Sequence, residues 1–283
     1  MKPILKWAGG KSRLAPQICE AFSVPCEDTY YEPFVGSAAV FLHRRAHGRV
    51  GRAVLSDVNV KLMNFHRAIR DNVAEVIREL GRLPTDDWRE RYYEVREAYN
   101  RGPWDGPAHA ARFVWLNRAG YNGLYRENRD GELNVPLGKY SHVKLPEPAA
   151  FSRVSQLMQG VELLDGGFAP VLEWVRPGDQ VYCDPPYVPL SATSNFTAYS
   201  REPFGPEEQR RLSHLAQKAA RRGARVVLSN HDVPFVRNEL YAPSRGFEMV
   251  FNLQVSRAIS RKAEDRHAVG EVIAAIGPMV RAA

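Results

Sequence analysis

The chain has 283 residues, of which 44% are hydrophobic and 25% are charged, and this composition excludes a disordered chain or a fibre. Its length predicts one or two domains with a sizeable core. No apolar run reaches the roughly 18 to 20 residues of a membrane-spanning helix, and the start MKPILKWAGGK is too short and too polar to predict a secretory signal. Three cysteines without a Cys-x-x-Cys pair predict neither a disulfide framework nor a zinc cluster, so we expect a cytoplasmic protein.

Positive charge is in excess, because 39 Lys and Arg residues outnumber 32 Asp and Glu residues and give a net charge of +7. The charge is unevenly distributed. Residues 145–194 are acidic, with Arg153 and Arg176 as their cations, and basic segments flank them. Such asymmetry indicates an anionic partner such as nucleic acid. A mildly basic enzyme without such a partner is the alternative.

Short runs rich in Val, Ile, Leu or aromatic residues, each bounded by turn residues, predict seven β-strands. They lie at 29–32, 52–56, 161–164, 179–183, 224–229, 248–255 and 269–276. Residues 206–222 keep a helical apolar spacing, and Pro206 suits a first helical turn. Because strands alternate with helices, the pattern predicts an α/β fold with a doubly wound, mostly parallel sheet covered on both faces.

The pattern that follows the second strand is helical only. The helical stretches are 59–80, 87–101 and 107–119. From there to residue 140 the chain is rich in Gly, Asn and Arg, and its Asp130-Gly131 pair suits the turn of a β-hairpin. We therefore predict that 59–144 is a helical subdomain with an exposed hairpin. It is inserted into a sheet domain formed by 1–58 and 145–283.

The string VYCDPPY places an acid, two prolines and an aromatic residue at the end of a predicted strand. Two prolines cannot continue the hydrogen-bond ladder, so the chain leaves the sheet at its carboxyl edge, where ligands of α/β proteins bind. Asp184 and the Pro185 carbonyl are neighbouring acceptors that match the two hydrogens of an exocyclic amine. Tyr187 offers a ring face on which a planar base can stack. A proline-rich turn without a function is the alternative.

The string TYYEPFVGSAAVF reads as a strand, a turn with one glycine and a helix that begins near Ser37. Small residues in such a βα turn let a phosphate or nucleoside approach the backbone. The next strand ends in Asp57, 21 residues after Gly36, where an acid can accept hydrogen bonds from ribose hydroxyls. Together these features predict a nucleoside-binding turn.

The string LKWAGGKSRL contains GGKS, but Leu5 stands where a phosphate-binding loop needs glycine. No phosphate loop is therefore predicted. The aromatic residue, the two glycines and the lysine suit the lining of a small-molecule pocket, with Lys11 near a carboxylate. An N-terminal turn with solvated lysines is the alternative.

Taken together, seven strings resemble the Dam-type DNA adenine-N6 methyltransferases of the D12 class. In chain order they are KWAGGK (6–11), EPFVGS (32–37), LSDVN (55–59), NRAGYNGLYREN (117–128), GELNVPLGKY (131–140), VYCDPPYVPLSATSNFTAY (181–199) and LSNHD (228–232). Their order is the family's order, and the resemblance covers residues 1 to about 260. DPPYVPLSATSNFTAY and the pair GYNGLYR and NVPLG are the most specific of them.

This resemblance implies the Rossmann-like fold of S-adenosylmethionine-dependent methyltransferases, with S-adenosylmethionine as the methyl donor. It implies adenine N6 within GATC in double-stranded DNA as the target, and 59–144 as the target-recognition subdomain. The enzyme would act at the nucleoid, in restriction-modification or in epigenetic regulation, and no obligate protein partner is evident. The chemistry needs no metal and no nucleophilic side chain, because the sulfonium methyl is already electrophilic. The adenine must leave the duplex to be reached.

The family's functional positions carry over residue by residue. The implied cofactor contacts are Trp7, Lys11, Phe34, Gly36, Asp57 and Asp184. The catalytic set is Asp184, Pro185 and Tyr187. The implied base-reading residues are Lys6, Leu124, Arg126 and Pro136. Tyr121 and Asn122 match residues that fill the space left by the flipped adenine, and the implied contacts to the DNA backbone are Asn128, Asn134 and Lys139.

The sequence departs from the family pattern at two places. Ala38 stands where a second glycine is common, and the stretch RKAEDRH at 261–267 lacks a glycine pair that some members carry. Three other functions are weighed against the resemblance. The first is an amino-methyltransferase acting on RNA or on a protein amide. The second is a metal-dependent nuclease that uses Asp184, His231 and Asp232, and the third is a non-catalytic DNA-binding protein.

Overall fold

The computed structural model describes residues 2–190, 204–256 and 268–278. Its strands are β1 (Cys26–Glu32), β2 (Val50–Asp57), β3 (Glu162–Asp165), β4 (Gln180–Cys183), β5 (Arg225–His231), β6 (Glu248–Ser256) and β7 (Ala268–Ile276). They form one seven-stranded sheet in the order β3-β2-β1-β4-β5-β7-β6. Residues 191–199 of the longest motif and the stretch 261–267 lie outside the described residues.

The α-helices of the described residues are α1 (Ala15–Ala21), α2 (Ala39–Ala46), α3 (Val60–Asp71), α4 (Val73–Leu80), α5 (Tyr92–Arg101), α6 (Gly106–Ala119), α7 (Pro148–Met158), α8 (Phe168–Trp174) and α9 (Pro206–Arg221). Short 3-10 turns occur at Tyr121–Gly123 and Pro243–Arg245, and a π-helical turn occurs at Val236–Leu240. The predicted helix at 206–222 is α9, and Pro206 is its first residue. None of the described helices is long and apolar enough to cross a membrane.

The sheet is mostly parallel, as predicted. β3, β2, β1, β4 and β5 pair in parallel with their neighbours, whereas β7 runs antiparallel between β5 and β6. All four residues of β4 are buried, as expected for a strand covered by helices on both faces. Each predicted strand is present within a few residues of its expected position. The doubly wound α/β fold is therefore confirmed.

The sheet separates two hydrophobic cores. Along β4, Tyr182 belongs to one core, whereas Val181 and Cys183 belong to the other. Helices α1 to α7 contribute to the first core, and α8 and α9 contribute to the second. Because side chains alternate along a strand, this division shows that the two cores lie on opposite faces of the sheet. The carboxyl ends of β1, β2, β4 and β5 remain at one edge, between the cores.

The helices that follow β2 pack directly on the sheet. Asn59 caps α3 by accepting a hydrogen bond from Leu62 N at 3.0 Å, and Asn72 separates α3 from α4 within the apolar pattern of 59–80. Phe65 on α3 meets Phe113 on α6 edge to face, with 5.7 Å between the ring centroids. These helices share the first core with the sheet, so the segment is continuous with the body of the molecule.

Residues 120–140, called the arm below, fold back on themselves but form less sheet than a hairpin would. Their antiparallel pairing consists of two isolated bridges, Gly120 with Leu137 and Glu127 with Leu133. Pro136 interrupts the ladder because it has no backbone N–H. At the turn, the Asn128 side chain accepts hydrogen bonds from backbone amides instead of leaving them to the opposite leg. The predicted hairpin is therefore an irregular loop with two antiparallel contacts.

Candidate active site

The predicted catalytic string begins directly after β4, where Pro185 and Pro186 end the strand. Asp184 follows the last residue of β4 and lies beside the next strand, β5. Its Oδ1 accepts a hydrogen bond from Ser229 Oγ at 2.9 Å and lies 3.0 Å from Lys11 Nζ. The carboxylate is therefore held from two sides, by a neutral donor of the sheet and by a cation of the N-terminal segment.

The loop that carries the string is fixed by β5 and α9. Gln209 Nε2 donates to the Pro186 carbonyl at 2.6 Å, and Asn230 Oδ1 accepts from Val188 N at 3.0 Å. Asn230 Nδ2 also donates to Gln209 Oε1 at 3.1 Å, which joins the two supports. His231 Nδ1 lies 2.6 Å from the Val188 carbonyl oxygen. The LSNHD string, which was considered only as a source of metal ligands for a nuclease, thus supports the loop that carries Asp184 and Tyr187.

Tyr187 turns its ring toward Lys11. The Lys11 ammonium lies 4.6 Å from the ring centroid, and the Tyr187 hydroxyl donates to Glu271 Oε1. Burial raises the pKa of Tyr187 well above its ordinary value, so this hydroxyl remains a donor at neutral pH. The ring also meets His231 edge to face, with 4.8 Å between the centroids. The position of Tyr187 is therefore defined by its ring and by its hydroxyl.

Lys11 is buried between two carboxylates, although it is a lysine near the start of the chain. Its Nζ is 3.0 Å from Asp184 Oδ1 and 3.5 Å from Glu271 Oε1, and it also donates to the Gly9 carbonyl. Burial raises the pKa of Glu271, and Lys11 opposes that rise. The sequence placed Lys11 near a carboxylate but did not identify Glu271, which lies on β7 with no motif around it.

The turn after β1 meets Trp7 and Asp57, as expected for the predicted nucleoside site. Gly36 has a φ of 48°, and a Cβ at this position would lie 2.9 Å from Trp7 Cδ1, so both the backbone and the close contact require glycine. The Gly36 N–H donates to Asp57 Oδ2 at 3.1 Å, and Asn59 N donates to Asp57 Oδ1 at 3.0 Å. Phe34 stacks on Phe168 with 5.4 Å between the centroids.

Two buried groups behind this turn were not found from the sequence. His66 on α3 lies 2.8 Å from the Gly36 carbonyl oxygen through Nε2, and burial lowers the pKa of His66 to about 4, so the ring is neutral. Glu32, the last residue of β1, accepts from the Tyr30 hydroxyl at 2.7 Å. Burial raises the pKa of Glu32 to about 8. A neutral histidine and a largely protonated glutamate therefore support the turn.

The departure at Ala38 has a structural consequence. Ala38 is the N-cap of α2 with a φ of 59°, in the left-handed region that favours glycine, and its side chain is buried. The turn therefore keeps the conformation that a second glycine would adopt, at a cost of about 1–2 kcal/mol for the alanine.

The arm brings several of the predicted DNA-binding residues together. The Arg126 guanidinium donates to Asn134 through Nε, at 2.7 Å from Oδ1, and through Nη2, at 3.1 Å from the carbonyl oxygen. Lys6, Arg126, Pro136 and Lys139 are exposed, whereas Tyr121, Asn122, Leu124, Asn128 and Asn134 are half-buried. Asn128 uses its side chain within the turn, where Oδ1 accepts from Asp130 N and Glu132 N.

Lys6 lies against the arm although it is more than 100 residues away in sequence. Asn117 joins them, because it accepts from Lys6 N and donates to the carbonyl oxygens of Lys6 and Gly123 at 2.8 and 3.0 Å. A Cβ on Gly123 would lie 2.6 Å from Lys6 Cδ, so the GYNG string needs glycine for this approach. The Lys6 ammonium lies 5.1 Å from the centroid of the Tyr140 ring.

Helix α5 supports the second leg of the arm through backbone groups. Asn100 donates to the Leu133 carbonyl at 3.1 Å and accepts from Leu133 N at 2.8 Å, which is the pairing that a neighbouring strand would provide. Tyr92 and Arg96 both donate to the Val135 carbonyl at 3.0 Å. The sequence pattern predicted a helix at α5 but did not indicate that this helix would support the arm.

Comparison with known proteins identifies the family. A model of the D12 class N6 adenine-specific DNA methyltransferases matches residues 7–251. The chain is 36% identical over 280 residues to the type II methyltransferase M.MjaIII of Methanocaldococcus jannaschii, covering 94% of this chain and 95% of that protein. It is also 36% identical over 282 residues to the DNA adenine methylase of Escherichia coli K12, covering 99% and 96% of the two chains.

A similar solved structure is that of a putative RNA methyltransferase, PH1948 from Pyrococcus horikoshii. It has 9% sequence identity and a TM-score of 0.42, with 94% of this chain and 84% of the other covered. A likeness this remote carries no argument. The sequence relatives do, and the chain belongs to the D12 class of N6 adenine-specific DNA methyltransferases. It is therefore an adenine-specific DNA methyltransferase whose methyl donor is S-adenosylmethionine and whose substrate is DNA.

The residues at the sheet edge fit this cofactor. The Asp57 carboxylate accepts hydrogen bonds from the backbone N–H groups of Gly36, Val58 and Asn59, and a carboxylate has four lone-pair sites, so it can also accept a ribose hydroxyl. Gly36 has no side chain, so Trp7 can lie directly against the turn, and Asp184 is a carboxylate, which suits a cationic sulfonium, at the same edge of the sheet. The nuclease alternative does not fit, because Asp232 is paired with Arg237 and the described residues contain no group of three or more metal-ligating side chains.

Proposed function

We propose that the enzyme methylates N6 of the adenine in GATC within double-stranded DNA, after that adenine has rotated out of the helix, by direct transfer to the amine. One observation carries the proposal. Asp184 and Tyr187, an acceptor for an amine and a ring for a planar base, lie on one loop that β5 and α9 hold in place. A methyltransferase whose target is not a planar base with an amine would not need both the acceptor and the ring.

The cofactor would be bound by the residues around the turn after β1. Trp7, Phe34 and Gly36 would contact the nucleoside, and Asp57 would accept from its ribose. Lys11 would meet the carboxylate of the amino-acid part, with Asp184 near the sulfonium. When bound, the cofactor supplies a methyl group that is already strongly electrophilic. The protein then has to prepare the acceptor nitrogen.

The acceptor nitrogen is weak because its lone pair is delocalised into the adenine ring. Asp184 and the Pro185 carbonyl would accept the two amine hydrogens, which lets the nitrogen become tetrahedral and directs its lone pair toward the methyl group. Ser229 keeps the Asp184 carboxylate oriented for this role. The remaining acceleration is alignment, which can contribute up to roughly 7–11 kcal/mol.

Rotation of the adenine costs a few kcal/mol, and stacking on Tyr187 can return about 1–3 kcal/mol of this cost. Tyr121 and Asn122 are expected to fill the space left in the duplex. Their place at the start of the arm, next to Lys6 across Gly123, supports that role.

Sequence recognition is assigned to the arm. Arg126 is exposed with its guanidinium plane set by Asn134, and such a fork can bond guanine O6 and N7 together in the major groove. Lys6, Leu124 and Pro136 complete the base-reading set, and Asn128, Asn134 and Lys139 are expected to contact phosphates. Because the substrate is DNA, we expect the enzyme to act in the cytoplasm, at the nucleoid.

The test is to incubate the purified protein with labelled S-adenosylmethionine and unmodified plasmid, and then to map modified bases by sequencing. We expect N6-methyladenine at GATC and no label in RNA or in protein. Modification mainly at other sequences would refute the GATC specificity, and modification of cytosine would refute the chemistry. Asp184→Ala is the matched inactive control, because a lost preorganised acceptor lowers the rate by about 100- to 1,000-fold.

A further inference from the structure

Glu271 is a buried carboxylate whose partners belong to the proposed catalytic machinery. It lies on β7, opposite His231 of β5, and its exposure is 7%. A buried carboxylate is costly unless other groups pair with it, so its partners indicate why it is there. They are the Tyr187 hydroxyl and the Lys11 ammonium, and both meet the same oxygen, Oε1.

The contact with Tyr187 is specific to the hydroxyl. The ring alone can tilt about its bond to Cβ, and β5 offers the ring only an edge contact with His231. The hydroxyl bond to Glu271 removes this freedom, because it fixes the far end of the ring from a separate strand. A stacking surface that is already oriented loses less conformational entropy when a base binds.

The contact with Lys11 concerns Asp184. Lys11 Nζ is 3.0 Å from Asp184 Oδ1, the carboxylate that is proposed to accept the amine hydrogens of the adenine. Glu271 provides a second anion 3.5 Å from the same ammonium. When the target amine donates to Asp184, the positive charge of Lys11 therefore still has Glu271 as an ion-pair partner.

We propose that Glu271 is a positioning residue for the target base: it orients the Tyr187 ring through the hydroxyl and holds Lys11 beside Asp184. This role rests on the proposed function, because it assumes that Tyr187 receives a flipped adenine. It adds to that function a residue from β7, the antiparallel strand, which has no part in the motifs around Asp184.

The experiment is a double-mutant cycle between Glu271 and Tyr187. The target adenine of a GATC duplex is replaced by 2-aminopurine, whose fluorescence reports unstacking from the duplex and stacking in the site. Equilibrium capture of this base is measured for the wild type, Glu271→Ala, Tyr187→Phe and the double variant, all with S-adenosylhomocysteine. We expect each single variant to capture the base about tenfold less well, as the loss of one hydrogen bond allows. The double variant should be no worse than Glu271→Ala, because the hydroxyl of Tyr187 has no partner left to lose in that variant.

Two further variants separate positioning from general damage. Glu271→Gln keeps an acceptor for the Tyr187 hydroxyl, so its capture should lie between that of the wild type and that of Glu271→Ala. Glu248→Gln is the matched control. Glu248 is a carboxylate of the same sheet, stands beside Ala275 of β7, four residues from Glu271, and forms an ion pair with Arg225. It should capture the base like the wild type.

The inference is overturned if Glu271→Ala captures the base as well as the wild type, or if the effects of Glu271→Ala and Tyr187→Phe multiply. A proposed function that is itself wrong gives a different result, since the wild type would then neither capture 2-aminopurine at GATC nor methylate the adenine there. Thermal unfolding of each variant shows whether it is folded. If Glu271→Ala is not folded, the comparison of Glu271→Gln with Tyr187→Phe decides by the same criterion of non-additivity.

Discussion

Ser229 of β5 donates a hydrogen bond to Asp184 at the end of β4, with 2.9 Å between Oγ and Oδ1. Ser229 is fully buried, and its hydroxyl also lies 2.8 Å from the Tyr182 hydroxyl. The proposed catalytic carboxylate is therefore oriented by a neighbouring parallel strand. Since register fixes which residue stands beside which, pairing of β4 with β5 aligns this donor with its acceptor.

This relationship predicts that Ser229→Ala lowers the single-turnover methylation rate about tenfold, because Asp184 loses one of the bonds that orient it. The KM for DNA and the affinity for the cofactor should change much less. Ser213→Ala is the control, since Ser213 is an equally buried serine that donates to the Leu240 carbonyl. Equal loss of rate in both variants would show that Ser229 is only a packing residue.

Arg126→Ala should relax specificity at one base pair of the site. Loss of a contact to guanine O6 and N7 costs about 1–3 kcal/mol of discrimination at that pair. The variant should methylate GATC poorly and accept changes in the second half of the site, as measured by kcat/KM on duplexes altered one base pair at a time. Arg129→Ala, an exposed arginine at the tip of the same arm, is the matched control.

The contrary outcome for Arg126 is equally definite. If Arg126 contacts only phosphate, Arg126→Ala should weaken methylation of every duplex by a similar factor. It should also reduce the slope of the logarithm of the binding constant against the logarithm of the salt concentration by roughly one unit. Either pattern would remove Arg126 from the specificity set and leave it as a positioning contact.

Asn100→Ala should loosen the arm without touching the methyl-transfer site. The change removes both hydrogen bonds to the Leu133 backbone, each worth about 0.5–1.5 kcal/mol. We expect KM for DNA to rise about tenfold and discrimination among near-cognate sites to fall, while cofactor affinity and the maximal rate are kept. Arg101→Ala is the control: among the described residues Arg101 forms its ion pair with Glu97 of the same helix, so this variant should behave as wild type.

His109 should make the protein less stable in mild acid. It stacks on Tyr99 with 4.3 Å between the centroids, neither ring nitrogen hydrogen-bonds to a described protein atom, and burial lowers its pKa to about 4. An unfolded histidine titrates near 6.5, so between those values the unfolded chain binds an extra proton. The stability contributed by the neutral ring is present above 6.5 and is lost as the pH falls toward 4.

His109→Phe tests this statement. In this variant the free energy of unfolding should depend less steeply on pH, by the contribution of one proton, which is about 1.4 kcal/mol per pH unit between pH 5 and 6. The free energy of unfolding, measured in urea at several pH values, gives the slope directly. An unchanged slope would show that the histidine is protonated in the folded protein, and methylation at neutral pH should be unaffected in either case.

The sequence predicted the parts of the site that lie where strands end. Asp57 ends β2, Asp184 directly follows β4, and Gly36 and Tyr187 lie in the loops after β1 and β4, while parallel strands bring their carboxyl ends to one edge. Proline, glycine and acid at such positions have local chemical reasons that can be read in a single string. For the same reason the doubly wound sheet could be predicted from the alternation of strands and helices.

The supporting residues could not be found in that way. Glu271 and Ser229 are ordinary residues of strands, and their meeting with Tyr187 and Asp184 depends on the sheet order, in which β7 enters between β5 and β6. His66 reaches the Gly36 carbonyl from the middle of α3, where the apolar pattern indicates only a helix. The arm pairs its two legs as the predicted hairpin would, but less regularly, because side-chain bonds from Asn128 satisfy backbone groups that a ladder would otherwise use.

The N-terminal segment has one more consequence. Lys6 is tied to the arm by Asn117, and Lys11 is tied to Asp184, so five residues of chain join the expected base reader to the reacting centre. Five residues extend to at most about 18 Å, and a duplex advances about 3.4 Å per base pair. This short connection limits the distance between the two sites. Any base that Lys6 contacts must lie within a few base pairs of the modified adenine, so Lys6 cannot take part in reading the far end of a long recognition site.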